Sequence, residues 1–234
     1  MSDNFNEFED YSDVTELKWW EKVRDVFIDP KRLFKSLKFY PNLKLSIFVI
    51  VITTVLTAFL QINSEEFINN VLKSMGGTTP SGSTLNAYVY ITIALIPLVP
   101  LFVIFFKAFM ISGLAVLAGG DSDYTDAMVV TTYAYIPVAV GTLVLAVIAY
   151  LLGTNPIELS LAQILPESMA GGLVYGIALR MDILVIWYQV LSLIGTSYIF
   201  EISRKKALIP VILPWIIWII FSAGLHVLSY GGMI

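Results

Sequence analysis

Lys107 stands alone in a run from Tyr88 to Ala118 that is otherwise free of charge. A lysine held in hydrocarbon costs several kcal/mol unless its amine reaches water or meets an acceptor, so an internal amine of this kind marks an ion path, a substrate contact or a polar helix contact. Arg180, Asp182 and Glu201 are further charges at the margins of apolar runs. Arg180 and Asp182 are two residues apart and point in different directions on a helix, so at least one is expected to face another helix or an outer loop. Glu201 and Lys205 are four apart, which favours a local ion pair. Lys107, Arg180, Asp182 and Glu201 are therefore the candidate polar or pathway contacts.

Conventional catalytic chemistry finds few residues here. The single histidine, His226, has no histidine or cysteine partner for a metal site, and its apolar neighbours Leu225 and Val227 suit a helix interface. Asp121, Asp123 and Asp126 faintly follow a calcium loop, yet the central glycine and a bidentate glutamate are missing. After Gly119-Gly120, the same residues serve as caps and dipole partners of a following helix. No nucleophile elbow, phosphate loop or His-Glu-x-x-His motif occurs. We assign no catalytic, cofactor-binding or metal-binding residue.

The elements that must position these charges follow from composition. Of 234 residues, 57% are hydrophobic and 14% charged, and the mean hydropathy is +0.80, against about 45–50% apolar and 25% charged in soluble domains. The expected class is an all-α, polytopic membrane protein. A net charge of -4 provides no basic field for nucleic acid. Cysteine is absent, which removes disulfides, thiolate metal sites and cysteine-linked lipid anchors. The acidic N-terminus lacks the basic region and apolar core of a secretory signal, so it is expected to be retained.

A crossing of about 30 Å needs about 20 apolar residues. Trimming the charge-free runs at Gly, Pro and Asn predicts five transmembrane helices, near 45–62, 88–113, 127–152, 178–202 and 208–230. If the second begins near Asn86, Lys107 lies about 30 Å further along and reaches the cytoplasmic interface; a shift of one or two turns instead makes it internal. The first placement is the expected one. Pro97, Pro100, Pro137, Pro210 and Pro214 fall within spans and predict bends. Ala94-Leu95-Ile96-Pro97 recurs as Ala207-Leu208-Ile209-Pro210, a weak hint of repetition.

Lysine and arginine gather before the first span and at Arg204, Lys205 and Lys206, while Lys73 and Arg180 lie on the opposite side. Positive loops resist translocation, so the N-terminus is expected in the cytoplasm and, after five crossings, the C-terminus outside. Residues 1–13 form an acidic tail expected to be mobile. Residues 14–41 are expected to form amphipathic cytoplasmic helices, and residues 42–234 the transmembrane domain. Leu17, Trp20, Val23 and Phe27 recur at helical spacing, and Asp29-Pro30 is a helix start. Trp19, Trp20, Lys31, Arg32, Lys35 and Lys38 are the expected membrane-surface contacts, since aromatic rings and basic side chains suit a headgroup boundary. Residues 76–83 read as a flexible linker, and the stretch 155–176 as a short interfacial helix on the outer face. Gly113, Gly141, Gly195 and Ala223 let helices approach closely without fixing a dimer face, which leaves a homo-oligomer among the candidate partners.

The ordered features Asp29-Pro30-Lys31-Arg32-Leu33-Phe34, the Gly-Gly hinge with its acidic turn, Thr132-Tyr133-Ala134-Tyr135-Ile136-Pro137, Trp187 and Ser203-Arg204-Lys205-Lys206-Ala207 resemble the Yip family of Ypt/Rab-interacting membrane proteins. The prokaryotic branch is the closer likeness. The resemblance implies five helices, a cytoplasmic N-terminus and, from the eukaryotic members, a link to Rab GTPases and vesicle traffic. The chain lacks the Asp-Leu-Tyr-Gly-Pro run of those members. Tyr135 and Pro137 carry over as the family-like motif, with a structural role, and a prokaryotic plasma membrane is the implied location. The leading functional expectation is a non-enzymatic membrane scaffold or adaptor that meets lipids and a protein partner through its N-terminal region. The alternative is a small transporter or channel using the intramembrane charges and kinked helices.

Overall fold

The structure is a computed structural model that describes residues 14–62, 82–121 and 123–231. The acidic tail 1–13, Lys73 and most of the linker 76–83 lie outside the described residues.

Two short helices come first. α1 (Trp19–Ile28) and α2 (Pro30–Phe39) meet at Asp29, whose carboxylate accepts from the Arg32 N–H at 3.1 Å, while Pro30 at the first position of α2 forfeits no hydrogen bond. The extended lead-in is tied to α2 by Ser36, which donates to the Thr15 carbonyl at 3.0 Å and accepts from the Leu17 N–H at 3.3 Å. α3 (Leu43–Gln61) is capped by Asn42. α4 (Gly82–Leu95) and α5 (Leu98–Leu117) are separated by a turn at Ile96-Pro97, and α6 (Tyr124–Leu152) is capped by Asp123, which accepts from the Thr125 N–H at 2.6 Å. That bond gives the acidic turn a local structural role. α7 (Leu173–Leu179), α8 (Ile183–Ile199) and α9 (Arg204–Gly231) complete the chain.

α6 is the centre of the bundle. α3, α5 and α8 pack along it, α1 and α2 touch it at one end, and α9 closes against α5, α7 and α8. Its role follows from sequence: Ala127, Ala134, Ala139, Ala146 and Ala149 keep its flanks narrow, and almost every side chain from Ala127 to Ala139 is buried. Thr131 and Thr132 return their hydroxyls to helix carbonyls one turn back, so neither presents an unmet donor to the core. Small residues act within this chain. A Cβ at Gly141 would come within 2.8 Å of the Leu184 side chain, which α8 packs into that space, and one at Gly176 within 3.1 Å of Ala223 Cα, so α7 and α9 approach backbone to backbone. Gly113 has nothing within 4 Å.

The outer surface is apolar. Phe48, Ile52, Leu56 and Phe59 form an exposed stripe on α3, and Phe102, Phe106 and Phe109 form another on α5. Contiguous exposure of this extent demands a nonaqueous surround. Among the described residues, four helical stretches are long and apolar enough to cross a membrane: Leu43–Gln61, Ala87–Leu117, Tyr124–Leu152 and Arg204–Ser229.

The predicted span 178–202 is not one helix. Arg180 ends α7 and Asp182 starts α8, a helix of 17 residues. Between them the backbone is extended and pairs with the segment ahead of α7: the Leu161 N–H donates to the Met181 carbonyl at 3.1 Å, and the Ile183 N–H to the Leu159 carbonyl at 3.4 Å. Hydropathy alone runs through this break because α7 is itself apolar. The segment ahead of α7 holds two 3-10 turns, Leu161–Ile164 and Glu167–Met169, in place of one α-helix. The repeated Ala-Leu-Ile-Pro also takes two forms, ending at the turn between α4 and α5 in one place and lying inside α9 in the other.

Candidate functional site

The side chain of Lys107 is carried by the packed face of α5. Ile104, Ala108, Ile111 and Ala115 are fully buried at helical spacing, and Lys107 lies between the first two turns of that stripe. Opposite it, α8 presents Tyr188, Gln189 and Ser192, all buried. The Lys107 ammonium donates to Gln189 Oε1 at 2.7 Å and to Ser192 Oγ at 3.0 Å, and it sits 3.6 Å from the centroid of the Tyr188 ring. α6 supplies Tyr135, whose ring meets Tyr188 edge to face at 5.4 Å. One contiguous contact path therefore runs from the amine through Tyr188 to the family-like tyrosine.

This geometry turns the Lys107 amine inward to α8 and not along its own helix. Gln189 and Ser192 flank the midpoint of α8, so the amine faces the middle of that helix. Magnitudes explain why the site can exist. A lysine at the centre of a spanning helix costs roughly 2.5–3.5 kcal/mol on insertion scales. Two hydrogen bonds to a charged donor contribute roughly 1.5–3 kcal/mol each, and a desolvated cation–π contact contributes about 2 kcal/mol. Neutral acceptors in this number thus offset the cost of placing a lysine there. Tyr188 Oη, Tyr133 Oη and Thr196 Oγ1 are buried nearby in sequence on α6 and α8 without a hydrogen-bond partner among the described residues.

The other three charges do not join Lys107. Asp182 accepts from the Leu184 N–H at 2.7 Å as the N-terminal cap of α8, and its backbone pairs with Ser160. Arg180 is exposed at the end of α7. Glu201 lies outside any helix, with φ of 51°, and pairs with Lys38 of α2. The helical spacing that would pair it with Lys205 is therefore absent at that position. His226 shares a hydrogen bond of 2.7 Å with the Ala170 carbonyl and stacks on Tyr175, joining α9 to α7 and the turn before it.

A second polar cluster fixes α1 to α2. The almost fully buried Asp25 accepts from Arg24 Nε at 2.8 Å and from Arg32 Nη1 at 3.1 Å, while Arg32 also reaches Glu21 at 3.3 Å. Lys35 lies 5.9 Å from the Tyr198 ring centroid. Lys31 is exposed, and Trp19 and Trp20 meet edge to face with both rings largely exposed. Arg32, Lys35 and Lys38 thus serve the attachment of α2 to its neighbours. The Lys18 N–H donates to Glu21 Oε2 at 2.8 Å, and this bond, with the Arg32 guanidinium, holds the Glu21 carboxyl below its ordinary value of 4.5. A depressed folded pKa stabilises above the unfolded value and is lost as pH falls through the folded one. We expect the Trp19/Trp20 emission to shift between about pH 5 and pH 3 in the parent, with a smaller shift in Glu21→Gln; identical profiles would remove this carboxylate from the pH response.

With this geometry in place, comparison with known families is decisive: the Yip1 domain matches residues 24–225. The chain belongs to the Yip1 family. No curated protein and no solved structure shows a significant match. The Yip1 domain match takes in α2 through most of α9 and includes every residue of the Lys107 cluster. Apolar helices of spanning length and membership of this non-catalytic family make it a multi-pass membrane protein. Sequence reading of the Yip1 domain singled out Lys107 and Tyr135 but missed Tyr188, Gln189 and Ser192. Their signal was present: residues at i, i+1 and i+4 place three polar atoms along one side of an otherwise apolar helix.

Proposed function

We propose that this Yip1-domain protein is a non-enzymatic membrane adaptor, whose bundle anchors a cytoplasmic platform made of α1 and α2. The carrying observation is the docking of α2: Leu33, Phe34 and Leu37 are buried against the bundle while Trp19, Trp20 and Lys31 face outward. A platform of this kind offers lipids and a protein partner a fixed surface. In this reading residues 1–13 are an acidic tail, 14–41 the platform and 42–234 the membrane domain. α8 is the fifth crossing: its 17 residues extend about 26 Å, close to a thin hydrocarbon core of about 27 Å. The basic residues ahead of the first crossing keep the N-terminus in the cytoplasm, and five crossings then leave the C-terminus outside, in a prokaryotic plasma membrane. The family's link to Rab/Ypt proteins supports a trafficking or membrane-organising role.

Lys107 favours a second reading, transport, since an internal amine is costly to keep. That reading expects several of Lys107, Arg180, Asp182 and Glu201 to converge on one wet cavity, and they are distributed from one end of α8 to the other. The adaptor reading is therefore preferred. Proteoliposomes loaded with a panel of ions and small solutes test it. Equal background flux from the parent and Lys107→Met is the expected result. Specific flux in the parent that Lys107→Met abolishes would overturn the adaptor reading in favour of a pathway through the α5–α6–α8 interface.

A further inference from the structure

The first residues of α1 and α3 enclose a groove of about 340 Å³, lined by Glu16, Lys18, Trp19, Lys22, Asn42 and Leu45 among others. It lies where the platform meets the first spanning helix, and its volume falls at the small end of ligand sites. Lys22 is unusual among the lysines of the platform. Its side chain is only 3% exposed, and its ammonium is 3.7 Å from Glu16 Oε1, beyond hydrogen-bond reach. Burying a lysine stem is cheap, but an ammonium with no closer acceptor than this among the described residues is costly. Lys18 lies beside it, exposed, with its amine over the Trp20 ring at 5.0 Å. Asn42 directs Oδ1 to the Lys44 and Leu45 N–H groups, which leaves its amide N–H₂ as a donor on the groove wall. The opening turn of α1 adds N–H groups that have no partner within their helix. Glu16 balances one of the two ammonium groups, so the groove retains a positive charge.

A second feature gives the ligand its class. Leu45, on the groove wall, opens the outward stripe of α3 that continues through Phe48, Ile52, Leu56 and Phe59 at helical spacing. The polar end of the groove and this apolar track are continuous on one helix. We propose that the groove binds the phosphate of an anionic glycerophospholipid, with Lys22, Lys18 and Asn42 as donors, Trp19 at the headgroup boundary and an acyl chain along α3. This inference rests on the chain being a membrane protein and is independent of whether it is an adaptor or a transporter.

The test is retention of lipid by the detergent-solubilised full chain, measured by native mass spectrometry after titration with dioleoyl phosphatidylglycerol or dioleoyl phosphatidylcholine. Preference for phosphatidylglycerol, lowered on the order of tenfold by Lys22→Met and raised by Glu16→Gln, is expected. Lys18→Ala, at an exposed site that cannot disturb packing, should lower it too, and Lys205→Ala, exposed at the start of α9, should leave it unchanged. Equal retention of the two lipids, or parent-like retention in both Lys22→Met and Lys18→Ala, would overturn the proposal. Displacement of phosphatidylglycerol by millimolar inorganic phosphate alone would show a free-phosphate site and overturn the lipid assignment.

Discussion

Gln189→Leu should destabilise the bundle by about 2–3 kcal/mol, because it strips the shortest acceptor from a buried ammonium and offers nothing in return. Lys107→Met should be close to neutral. It removes the charge, the hydrogen bonds and the need for them together, and well-packed apolar replacements of buried charged groups are often neutral or stabilising. The combined Lys107→Met, Gln189→Leu variant should therefore recover most of the loss seen in Gln189→Leu. Thermal unfolding in a single detergent, arranged as a double-mutant cycle, reads the coupling directly. Additive effects would mean that the 2.7 Å contact between Lys107 and Gln189 contributes nothing to stability. The cycle also bears on function. A neutral Lys107→Met that remains folded is the reagent required for the flux comparison, since lost transport could then not be ascribed to lost structure.

The second large effect concerns the attachment of the platform. A Cβ at Gly195 would come within 2.8 Å of the Phe34 ring and 2.9 Å of Val130, so α8 is held open at this position for α2 on one side and α6 on the other. Gly195→Ala should cost about 1–3 kcal/mol through overpacking. Phe34→Ala, by contrast, leaves a cavity and should cost about 3–5 kcal/mol. Their combination should cost less than the sum, since the missing ring vacates part of the space the new methyl needs; the clash with Val130 remains. Trypsin provides the second readout, as freeing α2 exposes Lys31, Arg32, Lys35 and Lys38 to cleavage. Unchanged cleavage in Phe34→Ala would show that α2 is held by its polar contacts to Asp25 and Glu201 in place of this packing.

Much of this architecture was legible in the residues. Charge-free runs located Leu43–Gln61, Ala87–Leu117, Tyr124–Leu152 and Arg204–Ser229 to within a few residues, since lipid leaves backbone amides no partner outside the helix. Asp29-Pro30 marked the start of α2, and Asp123 the start of α6, because capping is chemistry between residues two or three apart. The run Thr132 to Pro137 pointed to the family through identity and order alone.

What the tertiary structure decided is pairing across long separations. Lys107 and Gln189 are 82 residues apart, and no local spacing indicates that the amine turns inward to α8 and not along its own helix toward water. Glu201 illustrates the same limit: a spacing of four to Lys205 is informative only inside a helix, and the chain turns at Glu201 and hands it to Lys38. The break at Arg180–Asp182 is likewise invisible to hydropathy, because its cause is a backbone pairing with Ser160 ahead of α7. Gly195 read as a small residue suited to close approach, and only packing shows that Phe34 takes the space. Local rules and the preference for lipid fix which segments are helices and where they begin. Which faces meet is set by side-chain shape and by the search of a few buried polar groups for partners, and that requires the whole fold.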